Sequence, residues 1–246
     1  MEKKIKKKMK LRLMGMITMN KRKKTLVKRY NLPDMIMHWT VAAGFVLALL
    51  TGYAVFFEGT SALLVNEVGN FIRLLHRIGG VLFVVAPILY FIFSKKRFGF
   101  LRAFKWNKSD FGWLLAAPKH YFVGGDGMPP QEKYNTGQKL FYLFAVVFGV
   151  FLAISGFILW FNWFSATTQL VTLFIHDVSA VLLTLFFFVH VYLVIFHPAD
   201  RTSFNAMATG YMDREYAKHH HELWYNEVKA QEEKENNHSD FYKKNA

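Results

Sequence analysis

Four of the ten histidines, His38, His76, His176 and His190, fall inside long apolar stretches, and the chain contains no cysteine. An imidazole in hydrocarbon is costly to hold and marks a functional position by default. The lack of cysteine removes disulfides, thiolate-held iron–sulfur clusters and covalently attached haem. A cofactor must then be gripped by histidine, methionine, carboxylate or backbone. His176 and His190 are fourteen residues apart. On an α-helix that interval rises ~21 Å and turns about 1,400°, which leaves the two rings within roughly 40° of each other on one face. One helix would thus offer imidazoles at two depths, a separation that accommodates two macrocycles stacked across a bilayer. A second imidazole closing each iron fills both axial positions, which suits electron transfer and leaves no open place for oxygen or substrate.

The elements that must position these rings are apolar blocks. The chain has 246 residues, 53% of them hydrophobic, yet a net charge of +14. The charge is gathered at the two ends and in one middle stretch. Between lie four blocks long enough to cross a bilayer, which takes ~20 apolar residues: 35–57, 74–93, 140–163 and 171–196. They carry almost no mid-helix charge and little amphipathic pattern, which disfavours a soluble protein with four buried helices. The first block lies too deep in the chain, and without a small-residue cleavage site, to read as a signal peptide. The expected fold is an all-α integral membrane protein, a four-transmembrane-helix bundle holding two b-type haems. A basic extension over residues 1–34 precedes the transmembrane domain of residues 35–196, and a polar tail follows over residues 197–246.

Orientation follows from Lys and Arg. The first 34 residues hold thirteen, residues 94–139 hold nine and the tail after Phe196 holds seven; residues 58–73 hold one and the turn between the third and fourth blocks holds none. Rich and poor segments alternate, so both termini and the middle loop are expected on the cytoplasmic side of a bacterial inner membrane. His38 then lies near the cytoplasmic side, His76 and His176 near the outer side, and His190 near the cytoplasm again. Matching depths pairs His76 with His176 at an outer haem and His38 with His190 at an inner one. The basic N-terminus reads as an orientation signal and a contact for anionic lipid, not as a nucleic-acid site.

Small residues recur beside the rings. Gly79 and Gly80 follow His76, Ser179 and Ala180 follow His176, and Thr51-Gly52 and Ser155-Gly156 occupy similar places in the first and third blocks. They allow close helix approach or room for a haem face. His197 sits at the membrane edge, His219–His221 form a run expected to be solvated, and Asp177 is expected to cap or flank the fourth helix near its positive end. His120 and His238 carry no supporting context.

The segment Lys133–Lys139, KYNTGQK, opens the third block. Asn and Gln amides can hydrogen-bond a quinone carbonyl, and Gly admits a ring close to backbone. An ordinary polar helix entry would look much the same.

Taken together, MHWTV around His38, LLHRIGG around His76, KYNTGQK, LFIHDVSA around His176, FVHVYL around His190 and the tail AKHHHELWY resemble the cytochrome b (gamma) subunit of membrane-bound respiratory formate dehydrogenases. That group sits in a wider family of di-haem cytochromes b that includes hydrogenase subunits, and the resemblance runs from about Met37 to Glu227. It implies His76 and His176 on the outer haem, and His38 and His190 on the inner. It further implies a quinone pocket beside Asn135, Gly137 and Gln138, with menaquinone as electron acceptor. The implied partners are an iron–sulfur (beta) subunit and a molybdenum- or tungsten-containing catalytic (alpha) subunit that oxidises formate outside. The basic N-terminus and the longer middle loop with GGDGMPP depart from the family pattern. The same conduit serving a nickel–iron hydrogenase or another periplasmic oxidoreductase is the nearest alternative. A haem-free membrane anchor is the more distant one.

Overall fold

The computed structural model describes residues 25–57, 59–60, 65–95, 97–124, 127–197 and 201–244; residues 1–24 of the basic extension lie outside the described residues. In chain order the elements are β1 (Leu26–Lys28), α1 (Leu32–Phe56), α2 (Asn66–Phe93), a 3₁₀ segment (Arg97–Phe104), α3 (Lys108–Val123), α4 (Thr136–Phe161), α5 (Ala166–Val191) running into a π turn (Tyr192–Phe196), α6 (Arg201–Thr209), β2 (Tyr211–Asp213), α7 (Arg214–His220) and α8 (Glu222–Lys244). Four helices are long and apolar enough to cross a membrane: α1, α2, α4, and α5 with its π turn.

These helices begin at Leu32, Asn66, Thr136 and Ala166, whereas the apolar blocks begin at Met35, Leu74, Leu140 and Val171. Hydropathy registers only the hydrocarbon-length part of a helix. Polar first turns such as Asn66–Asn70 keep the backbone helical without being apolar. The extension gives the histidines a regular placement. His76 and His176 each stand ten residues past the start of their helix, His38 six past Leu32, and His190 six before Phe196.

Two compact units share the chain. One comprises Asn31–Trp106 and Gly137–Arg201 and holds most of the four long helices. The entry to α1 is capped: Asn31 stays extended, its N–H is accepted by Asp34 Oδ2 at 2.8 Å, and Pro33 sits in the first turn, where a missing N–H costs nothing. The other Asp34 oxygen accepts from Tyr90 Oη at 2.6 Å, joining the start of α1 to the end of α2. The two helices run antiparallel and cross closely at glycine. A Cβ on Gly44 would stand 2.8 Å from Gly79 O, and one on Gly79 would stand 2.7 Å from Ala48 N. Any side chain at either position would force the backbones apart.

The turn between α4 and α5 is made by Asn162 at φ 52°, a left-handed position that asparagine tolerates, and by Ser165, which accepts from Thr168 N–H at 3.4 Å. Aromatic rings join the hairpins: Phe45 of α1 lies 5.8 Å from Phe83 of α2 and 5.1 Å from Phe187 of α5, and Phe144 stacks on Phe186 at 4.0 Å. The interior is marked by buried small polar residues (Thr51, Ser155, Thr172, Ser179, Thr184), while large residues such as Leu50, Leu170 and Phe174 point outward. That inside-out pattern is the one hydrocarbon solvent allows, since apolar side chains gain nothing by hiding from lipid.

The second unit comprises the described parts of Met1–Tyr30, Asn107–Thr136 and Thr202–Ala246. It contains an element absent from the sequence reading, an antiparallel ribbon pairing Leu26 with Asp213, Val27 with Met212 and Lys28 with Tyr211. Arg29 and Tyr30 N–H then both donate to Gly210 O, at 2.9 and 3.1 Å. Gly210 holds φ 83°, a conformation that favours glycine. The unit's core is polar as well as aromatic. Thr136 Oγ1 donates to the buried Asp110 at 2.8 Å, Thr136 N–H donates to Gln131 Oε1 at 2.9 Å, and Arg29 lies over Trp224 while donating to Lys133 O.

The histidine run departs from expectation here. His219 is solvated, but His221 is fully buried, with Nδ1 and Glu132 O 2.8 Å apart. Neighbouring Trp224 and Tyr216 exclude water from it. Burial, reinforced by the Arg29 charge, holds its pKa well below the ordinary histidine value. The folded unit therefore keeps His221 neutral, and the unfolded chain takes up a proton near pH ~6.5. Its contribution to stability is complete above that pH and falls by ~1.4 kcal/mol per unit below it. Proteolysis of the tail in the intact protein should accelerate between pH 7 and 5. H221Q should abolish most of that acceleration.

Candidate cofactor site

Three helices bring the four intramembrane histidines into two pairs. His38 on α1 and His190 on α5 have ring centroids 6.4 Å apart, with planes inclined by 63°. His76 on α2 and His176 on α5 have centroids 6.2 Å apart, inclined by 68°. Two imidazoles on opposite sides of one metal, each ~2.0–2.1 Å from it and with ~1.15 Å between nitrogen and ring centre, place their centroids about 6.3–6.5 Å apart. Both pairs lie close to that spacing. Inclined by more than 60°, the rings of neither pair stack on each other, and the separation leaves space for a central atom between them.

At the His76–His176 level, backbone and hydroxyl groups fix the rings. His76 Nδ1 lies 2.9 Å from Ala48 O and 3.3 Å from Thr51 Oγ1; His176 Nδ1 lies 2.8 Å from Ser155 Oγ. The close crossing at Gly44 and Gly79 is what brings the Ala48 carbonyl within reach of α2. Gly52 and Gly156 face the same rings: a Cβ would stand 3.1 Å from His76 Cε1 at the first and 3.5 Å from His176 Cε1 at the second. With Nδ1 occupied, Nε2 is the nitrogen left for a ligand. A cavity of about 570 Å³ opens beside these rings, bounded by Gly52, Gly80, Gly156 and Ala180, with Arg73 and Arg77 also on its wall. Its size and mostly apolar lining suit a cofactor. The Arg77 guanidinium lies 5.3 Å over the Trp160 ring, which orients it.

At the other level the surroundings are apolar. His190 stacks on Phe141 at 4.4 Å and 16°, and His38 stands edge-on to Trp39 at 5.3 Å. Beyond His190 the helix widens into its π turn, closed by His197 N–H donating to Tyr192 O at 3.0 Å. Such turns often accompany functional positions.

The pattern of the family described as prokaryotic cytochrome b561 matches residues 29–210, most of the chain and all four histidines. The chain belongs to that family. Haem b is therefore its cofactor, and the spacing within each imidazole pair is compatible with an iron between the rings. Among curated proteins this b561-family chain is 30% identical over 219 residues to the formate dehydrogenase cytochrome b556(fdo) subunit of Escherichia coli strain K12, covering 87% of this chain and 98% of the relative. It is 29% identical over 218 residues to the nitrate-inducible cytochrome b556(Fdn) subunit of the same organism, covering 86% and 96%. To the formate dehydrogenase cytochrome b556 subunit of Haemophilus influenzae it is 26% identical over 214 residues, covering 82% and 84%.

The remaining sequence candidates of this cytochrome fall into place separately. Asn135 stands just before α4, Gly137 and Gln138 lie in its first turn, and all three are half-buried. Lys139, at the end of the same motif, is buried, and its Nζ donates to Lys105 O at 2.8 Å. Asp177 borders the cavity beside His176 and does not cap its helix, a task that Ser165 performs. His197 ends the π turn with its ring 6.2 Å from Tyr192. The sequence reading missed Arg73 and Arg77 as wall residues, although Arg77 adjoins His76 in LLHRIGG. It read Thr51 and Ser155 as small, overlooking their hydroxyls.

Proposed function

We propose that this chain is the di-haem cytochrome b subunit of a respiratory formate dehydrogenase in a bacterial inner membrane, with both termini cytoplasmic. His76 and His176 hold an outer haem, and His38 and His190 an inner one. The observation that carries this reading is the pair of imidazole couples at 6.2 and 6.4 Å, set at two depths of the four-helix unit. The relatives, all named as formate dehydrogenase cytochrome subunits, support the choice of enzyme. When bound, the haems supply a one-electron relay from an iron–sulfur subunit outside, itself fed by a molybdenum or tungsten subunit, to menaquinone inside. Thr51, Ser155 and the Ala48 carbonyl orient the outer imidazoles. Arg73 and Arg77 offer cations to the carboxylates of the outer haem, and the apolar helix faces exclude water. Asn135 and Gln138 donate to the quinone carbonyls, with Gly137 leaving room for the ring.

The test is purification of the intact complex from membranes. Two haems per copy of this chain, reducible by formate, support the reading; an iron–sulfur partner from a hydrogenase would reassign the complex, and absence of haem would overturn it. Topology is checked apart from chemistry. Reporter fusions after Glu227 should behave as cytoplasmic and fusions near Asn66 as external. The opposite pattern would exchange the outer and inner assignments.

A further inference from the structure

The two imidazole pairs differ in what holds their far nitrogens. Ser155 Oγ donates its own proton along the helix to Phe151 O at 2.6 Å, and Thr51 Oγ1 donates likewise to Leu47 O at 2.6 Å. A serine or threonine hydroxyl bonded to the carbonyl one turn back has spent its only hydrogen. Its oxygen can then only accept. His176 Nδ1, 2.8 Å from Ser155 Oγ, must carry the proton, and so must His76 Nδ1 between Ala48 O and Thr51 Oγ1. Among the described residues no hydrogen bond reaches the ring of His38 or His190; their neighbours are Trp39 and Phe141.

We infer that Thr51 and Ser155 are positioning residues that fix the tautomer of both outer imidazoles and lower the reduction potential of the haem they hold, with no equivalent at the inner pair. This rests on the di-haem reading above. An imidazole that gives its Nδ1–H to an oxygen becomes a more basic ligand through Nε2, and a more basic ligand favours the oxidised, more positive iron. The step concerned adds one electron to the iron and moves no proton off the ring. The effect is built twice, once from each hairpin: a hydroxyl-glycine pair on the first helix, Thr51-Gly52 or Ser155-Gly156, faces a histidine ten residues into the second. The hydroxyl supplies the acceptor and the glycine lets the ring approach. Arg73, Arg77 and Asp177 also border this cavity and add their own charges to the potential. Substitutions at the hydroxyls leave those charges in place, so the change they cause isolates the hydrogen bond.

The two positions should not respond equally. Ser155 Oγ is the hydrogen-bond partner of His176 Nδ1, whereas His76 keeps Ala48 O when Thr51 is removed. The experiment is a redox titration of the purified complex, followed by haem absorbance, with the outer wave identified as the one missing in His176→Ala. S155A should shift the outer midpoint upward and leave the inner one in place, with a change in the outer haem's paramagnetic resonance signature. T51V should shift the same midpoint less, and S155T should restore the wild-type value. An outer midpoint unmoved in both S155A and T51V, with two haems bound, overturns the inference, as does an equal shift at both haems. If S155A fails to retain the outer haem, T51V carries the comparison. A wild-type complex with fewer than two haems per chain would instead overturn the di-haem reading itself.

Discussion

His176→Ala is expected to purify with one haem per chain in place of two, and the survivor should be the inner centre. The substitution leaves His76 as the sole protein ligand at its level. Ala48, Thr51 and Gly52 would still orient that ring, but across the gap the His176 ring would be replaced by a methyl group beside Ser155. A b-type haem has no covalent tether in a chain without cysteine, so loss of one axial bond releases it or leaves it five-coordinate and spectroscopically distinct. His190→Ala should remove the inner centre by the same argument, leaving His38 beside Phe141. Helix α5 is common to both sites, so general loosening of that helix would lower both centres in each variant. Selective loss is the informative outcome. His197→Ala, at the end of the π turn, should keep both haems. Haem extraction combined with reduced-minus-oxidised spectra decides the matter, and full haem content with unchanged spectra in both alanine variants would sink the ligand assignment.

The second large effect is expected at the quinone. In N135L/Q138L both haems should remain bound and reducible through the partner subunits, because neither residue belongs to either imidazole pair. Reoxidation by a menaquinone analogue should slow by about tenfold to a hundredfold, the range for losing two hydrogen bonds of roughly 0.5–1.5 kcal/mol each. Leucine has the branched shape of asparagine, is one heavy atom smaller than glutamine and forms helix readily, so the start of α4 should persist. Stopped-flow haem absorbance after a formate pulse reads the rate directly. Wild-type reoxidation would move the acceptor site away from this motif.

The four membrane helices were legible because hydrocarbon-length apolar runs have few other uses, and the depth argument needed only the alternation of basic loops. The helix starts were not legible. Asn66, Glu67 and Asn70 are helical yet polar, so the second helix starts eight residues before its apolar block. The ribbon of Leu26–Lys28 with Tyr211–Asp213 escaped because three residues carry no readable period, and residues 29–210 separate the partner strands. His221 was misread for a related reason. Three consecutive histidines look solvated, but a helix boundary at His221 turns one ring inward while His220 stacks on Tyr216 and His219 stays in solvent. Thr51 and Ser155 were visible as residue types, but their role depends on where each spends its hydroxyl hydrogen. That is a property of helix geometry and of the facing ring, and no one-dimensional pattern encodes it.

The fourteen-residue interval from His176 to His190 also sets an electrical quantity. Its ~21 Å of helix rise spans about 0.7 of a ~30 Å hydrocarbon core. With the proposed orientation, an electron passed inward between the two levels works against about that share of the membrane voltage, roughly 1.6 kcal/mol for each 100 mV. The share is fixed by the number of peptide units between two ligands on one continuous helix. Shifting either ligand by a single turn along α5 would change it by about a fifth of the voltage. The length of one stretch of helix thereby determines how much of each electron's free energy is stored across the membrane.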